Sequence, residues 1–159
     1  MMILLSGEKI VLRSVDFSDV DTILLWENSS AEPLYGVYDE EYTREDVVQF
    51  VENQQRYSLA ENEQLRLMIC SHNGERLGCI DLTEYDGRKA FVSILIFDSH
   101  NRRKGFGTEA LQLLVSYAKS LGLRSLYATI LPRNSASISL FERAGFEDCD
   151  TMLYRKKLR

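Results

Sequence analysis

Histidine and cysteine are scarce in this chain, and cationic charge falls short of anionic. The two histidines, His72 and His100, both fall in turn sequences, and neither pairs with a cysteine as a nucleophilic site would require. Cys70, Cys79 and Cys149 are odd in number, and none belongs to a Cys-x-x-Cys pair. That excludes a disulfide framework, and metal-ligand spacing is absent too. Lys and Arg total 19 against 24 Asp and Glu, a net charge of −5, which argues against general nucleic-acid binding and suits a cationic partner or plain solubility. No apolar run reaches bilayer-spanning length, so no membrane role is expected. The opening "MMILLSGEKI" lacks a basic start followed by a long apolar region, so a secretory signal is not expected and a reduced, cytoplasmic protein is.

With 45% hydrophobic and 27% charged residues over 159 positions, composition predicts one globular α/β unit, 1–159, with no linker or repeat. "EKIVLR" (8–13) reads as a strand. "DFSDVDTILLWENS" (16–29) reads as a capped helix with Val20, Ile23, Leu24 and Trp26 on one face. Thr43 to Asp46 has capping-box form, and Val47, Phe50 and Val51 continue a helical stripe to Tyr57. Strands are predicted at 64–71, 76–85 and 90–97, turning at Asn73-Gly74 and Asp86-Gly87. Pairing across the first turn sets Met68 opposite Cys79 and Cys70 opposite Leu77. The two thiols are then diagonal, roughly 7–8 Å apart, too far for a disulfide. A helix over 107–121, a strand at 125–131, a short helix at 135–144 and a last strand at 152–158 complete the chain.

The segment "RRKGFG" (102–107) joins an apolar strand to that long helix, so three cations and two glycines sit at a helix N-terminus. Unpaired N–H groups and the helix dipole make such a turn an anion site, and glycine lets a ligand approach the backbone. Phosphate is the obvious guest, and a solvated basic turn is the plain alternative. The Walker spacing is missing. The dinucleotide pattern is poorly matched, because Ala110 occupies the third glycine position and hairpins precede the turn instead of a βαβ unit.

Arg102-x-x-Gly105-x-Gly107 resembles the acyl-coenzyme A pyrophosphate loop of the GNAT acetyltransferase superfamily, Gln/Arg-x-x-Gly-x-Gly/Ala. "NSASISLFERAGF" (134–146) resembles that family's second signature, Asn-x-x-Ser/Ala-x-x-Leu-Tyr/Phe-Glu-x-x-Gly-Phe. The order of elements fits across nearly the whole chain, and "LRSVDFSDVDTI" with "FERAGF" resembles the ribosomal-protein and spermidine N-acetyltransferase branch. The resemblance implies a GNAT fold: a mixed, mostly antiparallel sheet flanked by helices, with two strands splayed around acetyl-CoA. It implies an N-acetyltransferase acting on a primary amine (polyamine, peptide or protein N-terminus, or aminoglycoside) by direct attack in a ternary complex. A non-catalytic acyl-CoA-binding sensor or interaction module is the alternative. Relatives are often dimers, so a homodimer is a further expectation.

By the same resemblance, backbone groups of Ile94, Leu95 and Ile96 bond the pantetheine arm. Arg102 and the amides of Arg103, Lys104, Gly105, Phe106, Gly107 and Thr108 take the pyrophosphate, and Asn134 faces the coenzyme. Ile94 to Ile96 serve equally as core, and Asn134 as a helix cap. The family often has glycine where this chain has Arg103, and tyrosine, a proton donor to the thiolate, where it has Phe141. Tyr127, Ser137 or water are the remaining candidate acids. For a lysine-like amine, deprotonation at pH 7 costs roughly 4.6 kcal/mol. Glu84 is the candidate base acting through water, with Asp81 the other carboxylate of that strand. The loop before the second helix, with Glu32, Asp39, Glu40, Glu41, Tyr35, Tyr38 and Tyr42, is a candidate acceptor wall for a cation, or a solvated acidic loop.

Overall fold

The computed structural model describes residues 2–29, 41–150 and 152–158. Strands β1 (Leu4–Ser6) and β2 (Ile10–Ser14) precede helices α1 (Val20–Ser29), α2 (Arg44–Arg56) and the short α3 (Leu59–Asn62). Then come β3 (Leu65–Ser71), β4 (Arg76–Thr83), β5 (Lys89–Ile96), α4 (Phe106–Ser120), β6 (Ser125–Thr129), α5 (Ser135–Arg143), β7 (Glu147–Asp150) and β8 (Leu153–Lys157). The eight strands form one sheet in the order β1-β2-β3-β4-β5-β6-β8-β7. Every neighbouring pair is antiparallel except β5 with β6.

Period-two alternation divides the sheet between two cores. Ile10, Leu12, Leu67, Ile69, Ile80, Leu82, Val92 and Leu126 pack with Leu111, Leu114 and Ala118 of α4 and with Phe141 of α5. Met68, Cys70 and Cys79 point the other way and pack with Val20, Ile23 and Trp26 of α1 and Val47 and Val51 of α2. The i, i+3, i+4, i+7 stripe of α4 is therefore what seals one face. Thr43 and Asp46 close the expected capping box on α2, and Ser58 and Glu61 close another on α3.

The thiols are free, and Met68 pairs with Cys79 as the hairpin reading requires. Cys70 does not pair with Leu77. A bulge between Ile69 and Cys70 sets it opposite Arg76, because two residues of one strand there face one of the other. Strands β1 and β7 and helix α3 were not expected from the sequence.

Candidate active site

The parallel pair β5–β6 is short. Lys89, Ala90 and Phe91 pair with Ser125, Leu126 and Tyr127, and pairing stops there although β5 continues to Ile96. Beyond Phe91, β5 is held by β4 alone, and β6 turns to β8 as far as Thr129–Leu153. Ile94, Leu95 and Ile96 thus line one side of a splay. A Cβ on Gly78 of β4 would lie 1.9 Å from the Leu95 carbonyl oxygen, so only glycine lets the backbone of β4 approach β5 there.

The chain leaves β5 through Asp98 (φ 74°) and enters α4 through Arg103 (φ 64°) and Gly105 (φ 84°). Arg103 thus holds the left-handed conformation where the family often uses glycine. Gly105 is the N-cap of α4 and offers no side-chain cap, so the first-turn N–H groups are free for an anion. The contrast with α2, α3 and α5 is direct: Thr43, Ser58 and Asn134 each place a side-chain oxygen on their helix. Arg102, Arg103 and Lys104 are exposed, and among the described residues none has an ion-pair partner. At Gly107 a Cβ would meet Leu140, Ile94 and Ile96 at 3.5–3.9 Å, ordinary contact that leaves room for alanine.

Asn134 follows β6 and caps α5, its Oδ1 accepting the Ser137 N–H at 3.1 Å. Phe141 is buried, edge-on to Phe146 with ring centroids 5.0 Å apart, so its ring is core and donates no proton. Tyr127 sits in the last paired row against Phe91, with the Lys89 amine 5.7 Å from its ring centroid.

Neither candidate carboxylate stands free at the splay. Glu84 lies past the end of β4 in a left-handed turn (φ 50°), exposed, at the end of the sheet where β5 and β6 are still paired. Asp81 stands beside Ser93 in register but is buried in a bidentate pair with Arg66, Nε and Nη2 donating at 2.9 and 2.8 Å. Arg66 also donates to Glu27 of α1 at 2.8 Å and stacks under Phe50 of α2. The carboxylate is fixed by a cation and carries the structural load of joining α1 and α2 to the sheet. Of the expected acceptor wall, residues 30–40 lie outside the described residues. Tyr42 and Asn28 close a pair of hydrogen bonds just after it.

Sequence reasoning missed Lys9. Its Nζ donates to the Lys104 carbonyl at 3.0 Å, and its backbone N–H donates to both Glu109 carboxylate oxygens at 2.9 and 3.0 Å. Gly7 in the same turn lies so close to Glu109 that a Cβ would overlap its carboxylate at 1.8 Å. The β1–β2 turn is thereby clamped to the loop and to the first turn of α4. The adjoining groove of about 510 Å³, lined by Lys9, Gly105, Thr108, Glu109 and Gln112 among others, follows α4 on its β2 side, away from the splay. No local spacing announces a contact between residues 95 positions apart.

Among the described residues no cluster could hold a metal ion, and no helix is long and apolar enough to cross a membrane. The fold is similar to that of a spermidine N-acetyltransferase from Vibrio cholerae in complex with CoA and spermine, with a TM-score of 0.80 and 16% identity, covering 96% of this chain and 97% of that one. A ribosomal L7/L12 alpha-N-protein acetyltransferase in complex with coenzyme A is similar at TM-score 0.78 and 18% identity, covering 98% of both chains. In sequence, the probable N-acetyltransferase YjcK of Bacillus subtilis is 28% identical over 90% of this chain and 83% of its own length. The chain spans 28% of a longer curated relative from Methanocaldococcus jannaschii, and a match to one from Bacillus subtilis takes in 48% of this chain and 49% of that relative. Residues 9–147 match the acetyltransferase (GNAT) domain, and the chain therefore belongs to the GNAT acetyltransferase family.

Proposed function

We propose that this chain transfers the acetyl group of acetyl-CoA to a primary amine. The observation that carries this reading is the splay of β5 from β6 opening onto the uncapped N-terminus of α4 with its three exposed cations. Acetyl-CoA supplies the activated acetyl group. Backbone groups of Ile94, Leu95 and Ile96 hold its pantetheine arm, and the amides of Arg103 to Thr108, with Arg102, hold its pyrophosphate. Asn134, its oxygen engaged in the α5 cap, offers its amide nitrogen. Hydrogen bonds to a charged group contribute roughly 1.5–3 kcal/mol each, enough in number to bind the coenzyme without a metal.

The acceptor nitrogen attacks the thioester carbon directly, the C–S bond breaks, and the thiolate leaves, taking up the proton the nitrogen releases. With a free-thiol pKa near ~8.5 as for cysteine, that leaving group needs little help. Tyr127, in the last paired row, is the candidate acid for the thiolate. Glu84 is exposed one residue past the end of β4 and Asp81 is committed to Arg66, so in this reading positioning and the acceptor's own free-amine fraction supply much of the rate. The buried Phe141 favours a second reading, a binding module without turnover. Two measurements decide. Gly105→Asp should abolish coenzyme A binding by calorimetry in a variant that melts normally, and unchanged affinity would sink the loop assignment. Coenzyme A release, followed with peptide, polyamine and aminoglycoside acceptors, should depend on one of them; tight coenzyme A binding with no release from any would establish the second reading.

A further inference from the structure

On the face of the sheet that carries Tyr127, at the end where β5, β6 and β8 are paired, the chain collects positive charge. The register aligns Lys89, Ser125 and Lys157 in one row and Phe91, Tyr127 and Arg155 in the next. Buried Tyr154 points to the opposite core, so Arg155 and Lys157 share the face that Tyr127 occupies. Arg124, Ser125, Tyr127, Arg155, Lys157 and Leu158 line a depression of about 330 Å³ there. Lys89 is held over the Tyr127 ring. Glu147 stands opposite Arg155 in the β7–β8 register, yet no ion pair joins them, and the Asp86 carboxylate accepts the N–H groups of Arg88 and Lys89. Among the described residues Lys89, Arg124, Arg155 and Lys157 have no ion-pair partner, in a chain whose net charge is −5.

We propose that this patch, Arg155, Lys157, Lys89 and Arg124 around Tyr127, is a docking site for the acidic side chains of a peptide acceptor whose N-terminal amine lies at the splay. The proposal rests on the amine-acetyltransferase reading and narrows its acceptor to an acidic peptide. The row of Arg155 is the last paired row before the splay, and the row of Lys157 lies two residues further along the strand, roughly 7 Å away. An extended peptide advances roughly 3.3 Å per residue, so carboxylates at about its third to fifth positions reach the two rows while its terminus stays at the splay. A nucleic acid fits the patch poorly. It would have to lay a long run of phosphates across an acidic surface to use four cations. The aromatic floor of Phe91 and Tyr127 suits the apolar stems of peptide side chains instead.

The test compares two decapeptides with free N-termini and a C-terminal fluorophore, one with Asp or Glu at positions three to five and one with Asn or Gln there. Binding is read by anisotropy with coenzyme A present, so no turnover is needed. The acidic peptide should bind about tenfold tighter, since several exposed charge pairs each worth a few-fold compound to that range. The advantage should shrink as salt rises. Arg155→Glu with Lys157→Glu should reverse the preference, and Arg155→Lys should keep it, in proteins whose melting curves match the wild type. Equal binding of the two peptides, an unchanged preference in the reversed variant, or tighter binding of a single-stranded DNA oligomer than of the acidic peptide would each overturn the proposal. If the preference holds but acetyl-CoA is not consumed with either peptide, the catalytic reading fails and the docking site stands.

Discussion

Gly78 has no chemistry of its own, yet the splay depends on it. With the Leu95 carbonyl 1.9 Å from where a Cβ would be, alanine there must push backbone against backbone. Overpacking of this kind costs roughly 1–3 kcal/mol. Gly78→Ala should lower Tm by several degrees in a scanning calorimeter and weaken coenzyme A binding, because the displaced strand is the one that lines the splay. Gly107→Ala, whose Cβ meets only side-chain carbons at ordinary distance, should do neither. The cysteines give a second residue-scale test. Burial pushes the Cys79 thiol up to about 12 and raises Cys70 as well, while Cys149 is exposed. Since the thiolate is the reactive species, iodoacetamide at pH 8 should modify Cys149 alone in the native protein and all three after denaturation. Mass spectrometry of the intact chain reads the count directly, and rapid native alkylation of Cys79 would contradict its placement.

At the scale of elements, the informative contact is the one between the β1–β2 turn and the α4 loop. Lys9 touches the loop through the Lys104 carbonyl, so it acts on the coenzyme through the loop's shape and is a positioning residue. Losing one such hydrogen bond costs about 1 kcal/mol. Lys9→Met should therefore raise KM for acetyl-CoA roughly fivefold, leave kcat for the acceptor unchanged, and be rescued in part by Lys9→Arg. A fall in kcat with KM unchanged would remove that role. The sequence announced the loop, because glycines and cations at a strand-to-helix turn are a local pattern, and it announced α4 through its apolar stripe. It could not announce Lys9, Gly78 or the Arg66–Asp81–Glu27 cluster, since each acquires its partner from strand register or from segments distant in the chain. Strand β7 was invisible for another reason: all four of its residues are exposed, leaving no apolar alternation to read. The single-residue bulge beside Cys70 shows the limit on register, since turn residues locate a hairpin without counting its bulges.

Across the whole molecule, the sheet assigns one face to α4 and α5 and the other to α1 and α2, and the second core is the smaller. Besides the Arg66–Asp81–Glu27 cluster, that smaller core is fastened by Asp19, fully buried just before α1. Arg13 of β2 donates to both its oxygens at 2.8 Å, Arg76 of β4 donates at 2.6 Å, and the Asp16 N–H donates at 2.9 Å. Burial by itself would raise the carboxyl's pKa, but the hydrogen bonds from Arg13, Asp16 and Arg76 outweigh it and hold the group below its ordinary value. The sign follows: a depressed folded-state pKa contributes stability that is complete above the unfolded value of ~3.9 and drains away as pH falls through the folded value. Acid should therefore loosen the α1–α2 side first, exposing Trp26, which is packed against Phe97 in that core. Asp19→Asn removes the charge while keeping the shape, and leaves Arg13 and Arg76 without their shared carboxylate. Breaking a buried pair in this way costs about 3 kcal/mol, a large part of the roughly 5–15 kcal/mol a domain has. The expected result is a lower urea midpoint at pH 7 and a shallower loss of stability between pH 5 and pH 2 than the wild type shows, followed by Trp26 fluorescence. An acid limb of unchanged slope in the variant would mean that other carboxylates, and not Asp19, govern how this fold yields to acid.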